Sequence, residues 1–228
     1  MRLLSPLFRL RARRDAGPPA PFVVGVGRSG TTLLRLMLDA HPQLVIPPET
    51  HFLPDLIDAA RRGAGAEALA RIAAESRHWG DLGISAPDFE ARLRMGGTRP
   101  DQAARAFYEL YAERHGKPRW GDKTPGYVKR MAIIARALPE ARFVHVIRDG
   151  RDVALSVLDR TVRDLTAADV ARRWRKKIRK AQEDAPALRH YMEIRYEDLI
   201  LDTEPVLRKV CEFLELPWSD DVLHYHER

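Results

Sequence analysis

The 228-residue chain is predicted to be an α/β protein, a three-layer sandwich with a central, mostly parallel sheet and a helical insert. Three observations predict it. A β-rich apolar run over residues 22–26 leads at once into glycines and then into TTLLRLMLDAH, where Leu33, Leu34, Met37 and Leu38 recur at helical spacing. A second buried run, RFVHVI over residues 142–147, feeds another helical stretch, RDGRDVALSVL. Between them, residues 52–118 are rich in alanine and arginine and keep a helical period. Ligands of such sheets sit at the carboxyl ends of the strands, where the glycine-bearing and arginine-bearing turns both fall.

Taken in order, residues 1–20 are basic, are interrupted by Pro6 and Arg9, and run into the proline-rich GPPAP. A disordered tail is expected there, with a basic surface-seeking arm as the alternative; the segment is too broken for a signal peptide or a stable membrane anchor. A single domain is expected over 21–228, without internal repeats. The apolar run 44–46 ends at Pro47 and Pro48 and presents Glu49, Thr50 and His51 just past a strand end. The insert breaks near Gly63, over 80–87 and over 96–100. WGDKTP reads as a turn, 126–138 as a helix, 167–184 as a helix, 191–195 as a strand and 204–214 as a closing helix.

Bulk composition narrows the function. Apolar residues at 45% and charged residues at 31% exclude a disordered or fibrous chain. The net charge of +7 favours an anionic partner: nucleic acid, a membrane surface, or a small molecule bearing phosphate or sulfate. Cys211, the single cysteine, forms no intrachain disulfide and sits beside Val210 and Phe213, so a buried thiol and a cytoplasmic setting are expected. ARRWRKKIRK places seven cations within nine positions, on a helix anchored by Trp174 and Ile178. That face is either solvated or a landing surface for an anionic acceptor. Nucleic acid is not the expected partner, because no stacking aromatics interleave the cations.

Two constellations carry chemistry. In VVGVGRSGTTLL, Gly25 and Gly30 have the separation of a nucleotidase phosphate loop, but Thr31 stands where the lysine belongs. Gly25, Gly27 and Gly30 let amides converge on an anion at a helix start, Arg28 supplies a cation beside Ser29, and Thr31 and Thr32 offer hydroxyls. The alternative is a plain strand-to-helix turn. In the second constellation Arg148 follows a buried strand, Ser156 lies eight positions on, and Arg160 is four further along the same helical face. Two guanidiniums and a hydroxyl suit a second phosphate. Equally, Asp149 and Asp152 could make this an ion-pair network over a helix start.

In this order the two blocks resemble the sulfotransferases that use 3′-phosphoadenosine 5′-phosphosulfate (PAPS), above all the Golgi protein-tyrosine sulfotransferases and their bacterial relatives. RSGTTLL is similar to the family's 5′-phosphosulfate loop, and Arg148 with Ser156 to its 3′-phosphate site. PPETHF resembles the segment holding the general base of the tyrosine sulfotransferases, which implies that role for Glu49. GDKTP implies that Lys123 lies near the transferring group, and RYEDLI that Tyr196 contacts the nucleotide. FLELPWSDDVLHYH also matches a later family block. The resemblance runs from about residue 22 to the end and is weak over the insert.

Cytosolic relatives carry lysine where this chain has Arg28 and use histidine as base. The disulfides and membrane anchor of the Golgi enzymes are expected to be absent, as is a C-terminal segment that closes over the nucleotide. The chain is then either a natural short form or has an incomplete site. The resemblance implies metal-free, in-line transfer of a sulfuryl group to a hydroxyl or amine acceptor, with Arg28 and Lys123 meeting charge on the leaving oxygen. If 47–51 is extended, His51 lies on the same side as Glu49 and competes for the proton. The alternatives are a P-loop nucleotide kinase and a non-catalytic nucleotide- or polyanion-binding module. The acceptor and the oligomeric state are not legible.

Overall fold

A computed structural model of the chain describes residues 17–160 and 165–227, and the expected tail lies outside the described residues up to residue 16. The first half comprises β1 (Ala20–Gly25), α1 (Thr31–Asp39), β2 (Leu44–Val45) and then the insert, α2 (Leu53–Arg61), α3 (Ala66–Ala74), α4 (Ala86–Gly96) and α5 (Pro100–Arg114). There follow β3 (Arg119–Trp120), β4 (Asp122–Lys123), α6 (Met131–Ala137), β5 (Ala141–Ile147) and α7 (Gly150–Leu158). The chain closes with α8 (Ala167–Asp184), β6 (Tyr191–Arg195), α9 (Tyr196–Leu201) and α10 (Thr203–Phe213).

Every residue of β1 is buried. It pairs in parallel with β4 on one side and β5 on the other, and β6 completes a four-stranded sheet in the order β4-β1-β5-β6. Successive strand side chains point to opposite faces. Phe22 and Val24 pack into the cluster formed with the insert, whereas Val23 joins Leu34 and Leu38 of α1 and Leu207 and Val210 of α10. Both faces are therefore covered, which gives the three-layer α/β sandwich expected from the sequence.

Aromatic rings fasten the insert to the sheet. Phe52 lies 5.0 Å from Phe107 and 5.6 Å from Trp79, and Phe22 of β1 lies 6.1 Å from Tyr108 of α5. Such pairs add about 0.5–1.5 kcal/mol each beyond the area they bury. On α8, Thr166 and Asp169 cap the first turn reciprocally, and Ile178 is buried while Trp174 is half-buried. All of its cations except Lys177 are exposed. Cys211 is buried, and burial pushes its thiol up to about 11, so it is no nucleophile at neutral pH. Among the described residues no helix is long and apolar enough to cross a membrane.

Three expectations are corrected. WGDKTP is not a turn: Arg119–Trp120 and Asp122–Lys123 are strands. Two-residue strands show no alternation, and the polar pair Asp122 and Lys123 hides a segment that is in fact buried. Second, β2 does not join the main sheet but pairs in parallel with β3. Third, the helix over 126–138 is split at Arg130 into a 3-10 turn and α6.

Gly121 joins the two sheets. Its N–H donates to the Val45 carbonyl at 2.9 Å, and a Cβ there would lie 2.6 Å from Pro21 Cγ and 2.9 Å from Pro21 O. Gly121→Ala is therefore expected to lower unfolding stability by about 1–3 kcal/mol in a denaturant titration. Unchanged stability would mean that β4 does not run this close to β1.

Asp122 is fully buried beside it. Thr50 and Tyr108 donate hydroxyl hydrogen bonds to its Oδ2 at 2.8 and 2.9 Å. Burial still raises the carboxyl to about 6, against the lowering effect of the hydroxyls of Thr50, Tyr108 and Thr124 and of the Lys123 charge. The folded protein thus keeps this proton to a higher pH than the unfolded chain, and the stability it brings is lost as pH rises through the folded value. Measured against Asp122→Asn, the parent protein should lose roughly 3 kcal/mol between about pH 4 and pH 7. A difference independent of pH would contradict a buried, titrating carboxyl.

Candidate active site

β1 hands over to α1 through a five-residue loop whose shape is set from within. Ser29 is buried, and both its N–H and its hydroxyl donate to the Val26 carbonyl, at 3.2 and 2.6 Å. Its side chain braces the loop from inside and is not presented at the mouth. Gly30 takes φ +90°, and a Cβ there would lie 2.1 Å from Tyr196 Cδ2, so only glycine lets Tyr196 close down on the loop. α1 begins with no side-chain cap and no acidic residue in its first turn, which leaves N–H groups and the positive end of the helix facing outward. Thr31 is buried in that first turn, Thr32 is exposed, and Arg28 is exposed with φ +74°.

The carboxyl end of β5 brings the second constellation onto the same loop. Arg148 donates from Nη1 to the Arg28 carbonyl at 3.3 Å, and its guanidinium carbon lies 4.7 Å from the centroid of the Tyr196 ring. Ser156 on α7 accepts a hydrogen bond from Arg28 Nε at 3.0 Å. Segments 128 residues apart thus meet in one cluster of Arg28, Arg148, Ser156 and Tyr196. Trp174 of α8 donates to the Arg148 carbonyl at 3.1 Å and Glu197 accepts from the Asp149 N–H at 2.8 Å, which pins the turn.

The ion-pair alternative is also present in the structure. Arg148 lies 3.7 Å from Asp152, and Arg151 lies 2.6 Å from Asp149, whose carboxyl its hydrogen bonds hold at about 2. Even so, Arg148 Nε is buried without a hydrogen-bond partner among the described residues, a donor left for something else. Arg160 departs from expectation. α7 ends at Leu158, the chain tightens so that the Arg160 N–H reaches the Val157 carbonyl, and Arg160 is exposed in the turn beyond the helix. The helical face that would align it with Ser156 ends before it.

Beyond the loop on the β4 side, Glu49 stands between Lys123 and His51. Its Oε1 accepts from Lys123 Nζ at 2.7 Å, and its Oε2 lies 3.0 Å from His51 Nε2. Lys123, almost wholly buried, is also 3.5 Å from Thr32 Oγ1. The segment is not extended as supposed: His51 takes φ +55°. Glu49 and His51 nevertheless meet, because Thr50 between them turns inward and is fully buried. Thr50 and Asp122 carry no motif of their own and are absent from the expected set. The available signal was positional, one residue lying between two candidate acid-base groups and the other just before the candidate lysine.

The profile of the sulfotransferase family matches residues 19–220. The protein-tyrosine sulfotransferase 1 of Danio rerio is 32% identical over 220 residues, which cover 92% of this chain and 56% of the relative. The chain spans about half the length of the curated relatives it matches. Among solved structures, the sulfotransferase domain of a Synechococcus olefin synthase is 27% identical with a TM-score of 0.59, covering 92% of this chain and 78% of that one. A mouse sulfotransferase complexed with PAP shares the fold at 14% identity and a TM-score of 0.51, covering 92% of this chain and 63% of that one. With the family profile matched over residues 19–220, the chain belongs to the sulfotransferase family.

Proposed function

We propose that the chain transfers a sulfuryl group from PAPS to a hydroxyl or amine acceptor. The observation that carries this reading is the juxtaposition of the Glu49–Lys123 pair with the loop, through the 3.5 Å approach of Lys123 to Thr32. The residues present fit a nucleotide with two separate phosphate groups. The uncapped start of α1 suits one, and the unpartnered Nε of Arg148, whose guanidinium bonds the Arg28 carbonyl while Arg28 bonds Ser156, suits the other. The PAP found with the mouse relative is a nucleotide of this kind. The relatives named as protein-tyrosine sulfotransferases make a phenol the first acceptor to test.

PAPS supplies the sulfuryl group and a phosphate leaving group. Thr31 and Thr32, the loop amides and Tyr196 bind and orient it, and Arg28 and Lys123 meet the charge that grows on the leaving oxygen. Glu49 takes the proton of the attacking hydroxyl as general base, once one of its two oxygens is released from Lys123 or His51. His51 holds the carboxylate in place and is the competing proton acceptor. Arg148 and Ser156 read the 3′-phosphate. The lysine-free loop needs no metal to neutralise a highly charged triphosphate, so turnover is expected without magnesium.

Calorimetry with adenosine 3′,5′-bisphosphate, adenosine 5′-phosphate and ATP, with and without magnesium, tests the binding half. Arg148→Ala should weaken the bisphosphate by about 2 kcal/mol and barely affect the monophosphate. Equal losses would remove Arg148 from the 3′ site, and tight, magnesium-dependent ATP binding would favour a kinase. For the chemical half, Glu49→Gln should slow sulfate transfer from PAPS by about 100-fold or more while leaving nucleotide affinity intact. Full activity in Glu49→Gln together with none in His51→Ala would assign the proton to His51.

A further inference from the structure

The groups that act in this reading sit on two separate pieces of chain, and nothing in their own contacts explains why those pieces keep register. Glu49 and His51 belong to an irregular segment outside the main sheet, with His51 in the left-handed region. Lys123 belongs to β4, which pairs with β1 over only two residues. The Glu49–Lys123 contact cannot itself hold them together, since both groups are needed at the reacting centre. The residue beside each one does the joining. Thr50 is fully buried between Glu49 and His51, Asp122 is fully buried before Lys123, and the Thr50 hydroxyl donates to Asp122 Oδ2 at 2.8 Å.

The direction of the surrounding hydrogen bonds follows from counting protons. A threonine hydroxyl has one proton, and here it goes to Asp122. Tyr127, 2.8 Å from the same oxygen, must then donate to Thr50, and its own oxygen accepts the Leu53 N–H at 3.0 Å. The chain therefore runs one way, from Leu53 at the start of α2 through Tyr127 and Thr50 to Asp122. Tyr108 of α5 donates to the same carboxylate oxygen at 2.9 Å, the Thr50 N–H donates to Thr124 Oγ1 at 3.0 Å, and the Thr50 carbonyl accepts from Ser76 at 3.0 Å. Every polar atom of Thr50 is thus engaged. Three of its partners, Asp122, Thr124 and Tyr127, follow one another closely around Lys123. One acceptor oxygen ends the whole chain.

We propose that Thr50 and Asp122 are positioning residues for sulfuryl transfer, forming a buried clamp that sets Glu49 and His51 in register with Lys123 and ties both to the helical insert through Tyr108 and Tyr127. The proposal rests on the reading of Glu49 as the proton-taking group. What the clamp needs at position 122 is an acceptor oxygen, not a charge, because both hydroxyls converge on Oδ2 and Oδ1 has no partner among the described residues. An asparagine can turn its carbonyl to the same point. Valine at position 50 keeps the shape of threonine but removes the donor, and serine keeps the donor.

The test is steady-state sulfate transfer from PAPS to phenols of graded acidity, with adenosine 3′,5′-bisphosphate affinity measured alongside. Thr50→Val should lower kcat about 10-fold to 100-fold, with nucleotide affinity unchanged within about twofold, because a base displaced by a fraction of an ångström loses its near-attack geometry. Thr50→Ser and Asp122→Asn should keep most of the parent rate. The loss in Thr50→Val should grow as the phenol becomes less acidic, a dependence that a general loosening of the fold would not produce. Because Thr50 acts through Glu49, adding Thr50→Val to Glu49→Gln should slow turnover little further. If Thr50→Val does not fold, Tyr127→Phe breaks the same chain one link earlier and carries the same expectation. A full rate in the folded variant, or losses that multiply in the double variant, would overturn the clamp. No transfer from PAPS by the parent protein would overturn the function and the clamp together, whereas a slow Glu49→Gln beside an unslowed Thr50→Val would overturn the clamp alone.

Discussion

Parallel pairing of β1 on both of its edges is the constraint from which the site follows. With β4 on one side and β5 on the other, all three strands end at the same rim of the sheet, so whatever follows them must converge there. That rim holds Lys123 at the end of β4, the glycine-bearing loop after β1 and Arg148 after β5. The pairing can form only if strands of very different character lie side by side. β1 and, apart from Arg142 and His145, β5 are apolar and are buried by the hydrophobic effect, whereas β4 consists of an aspartate and a lysine. Their burial is sustained by hydroxyl hydrogen bonds to the one and a carboxylate on the other.

The polar interior of β4 also explains why the insert belongs to the site and is more than a covering layer. Tyr108 reaches Asp122 from α5, stacking on Trp120 at 4.6 Å on the way, and Tyr127 reaches Thr50 from the turn before α6. A carboxylate buried without such donors would cost several kcal/mol. The insert is therefore bound to Asp122 through the fully buried Tyr108, and the turn before α6 to Thr50 through the buried Tyr127.

Most of the fold was legible wherever a pattern had room to repeat. The α8 boundaries and β6 follow from periodicity, and the breaks in the insert follow from its glycines and prolines. The meeting of the first loop with the turn after β5 was expected from their shared place at the carboxyl ends of the strands, and the structure brings Arg28, Arg148 and Ser156 together there. The failures share a cause, since β3 and β4 are two residues long and no periodicity can be read in two residues. Arg160 was placed by extending a helix that stops short of it, and a stopping point set by local turn geometry leaves little trace in composition. Thr50 and Asp122 escaped for a different reason. Their importance lies in a contact across 72 residues, and nothing in either local sequence announces the partner.

The lysine absent from the loop has a counterpart elsewhere. At position 31, where a nucleotidase would place it, the threonine is buried in the first turn of α1, and the ammonium instead comes from Lys123 on the neighbouring strand, 3.5 Å from Thr32 Oγ1. The change of address alters what the cation can do. A lysine on the loop would face the bound phosphates alone, but a lysine on β4 stands between the loop and Glu49, and at rest it is paired with Glu49 at 2.7 Å. Under the proposed function, negative charge growing on the donor's leaving oxygen would draw the same ammonium toward the loop and leave the carboxylate a freer proton acceptor. Stabilisation of the leaving group and activation of the acceptor would then be linked through one side chain, held in a buried strand whose place is set by β1.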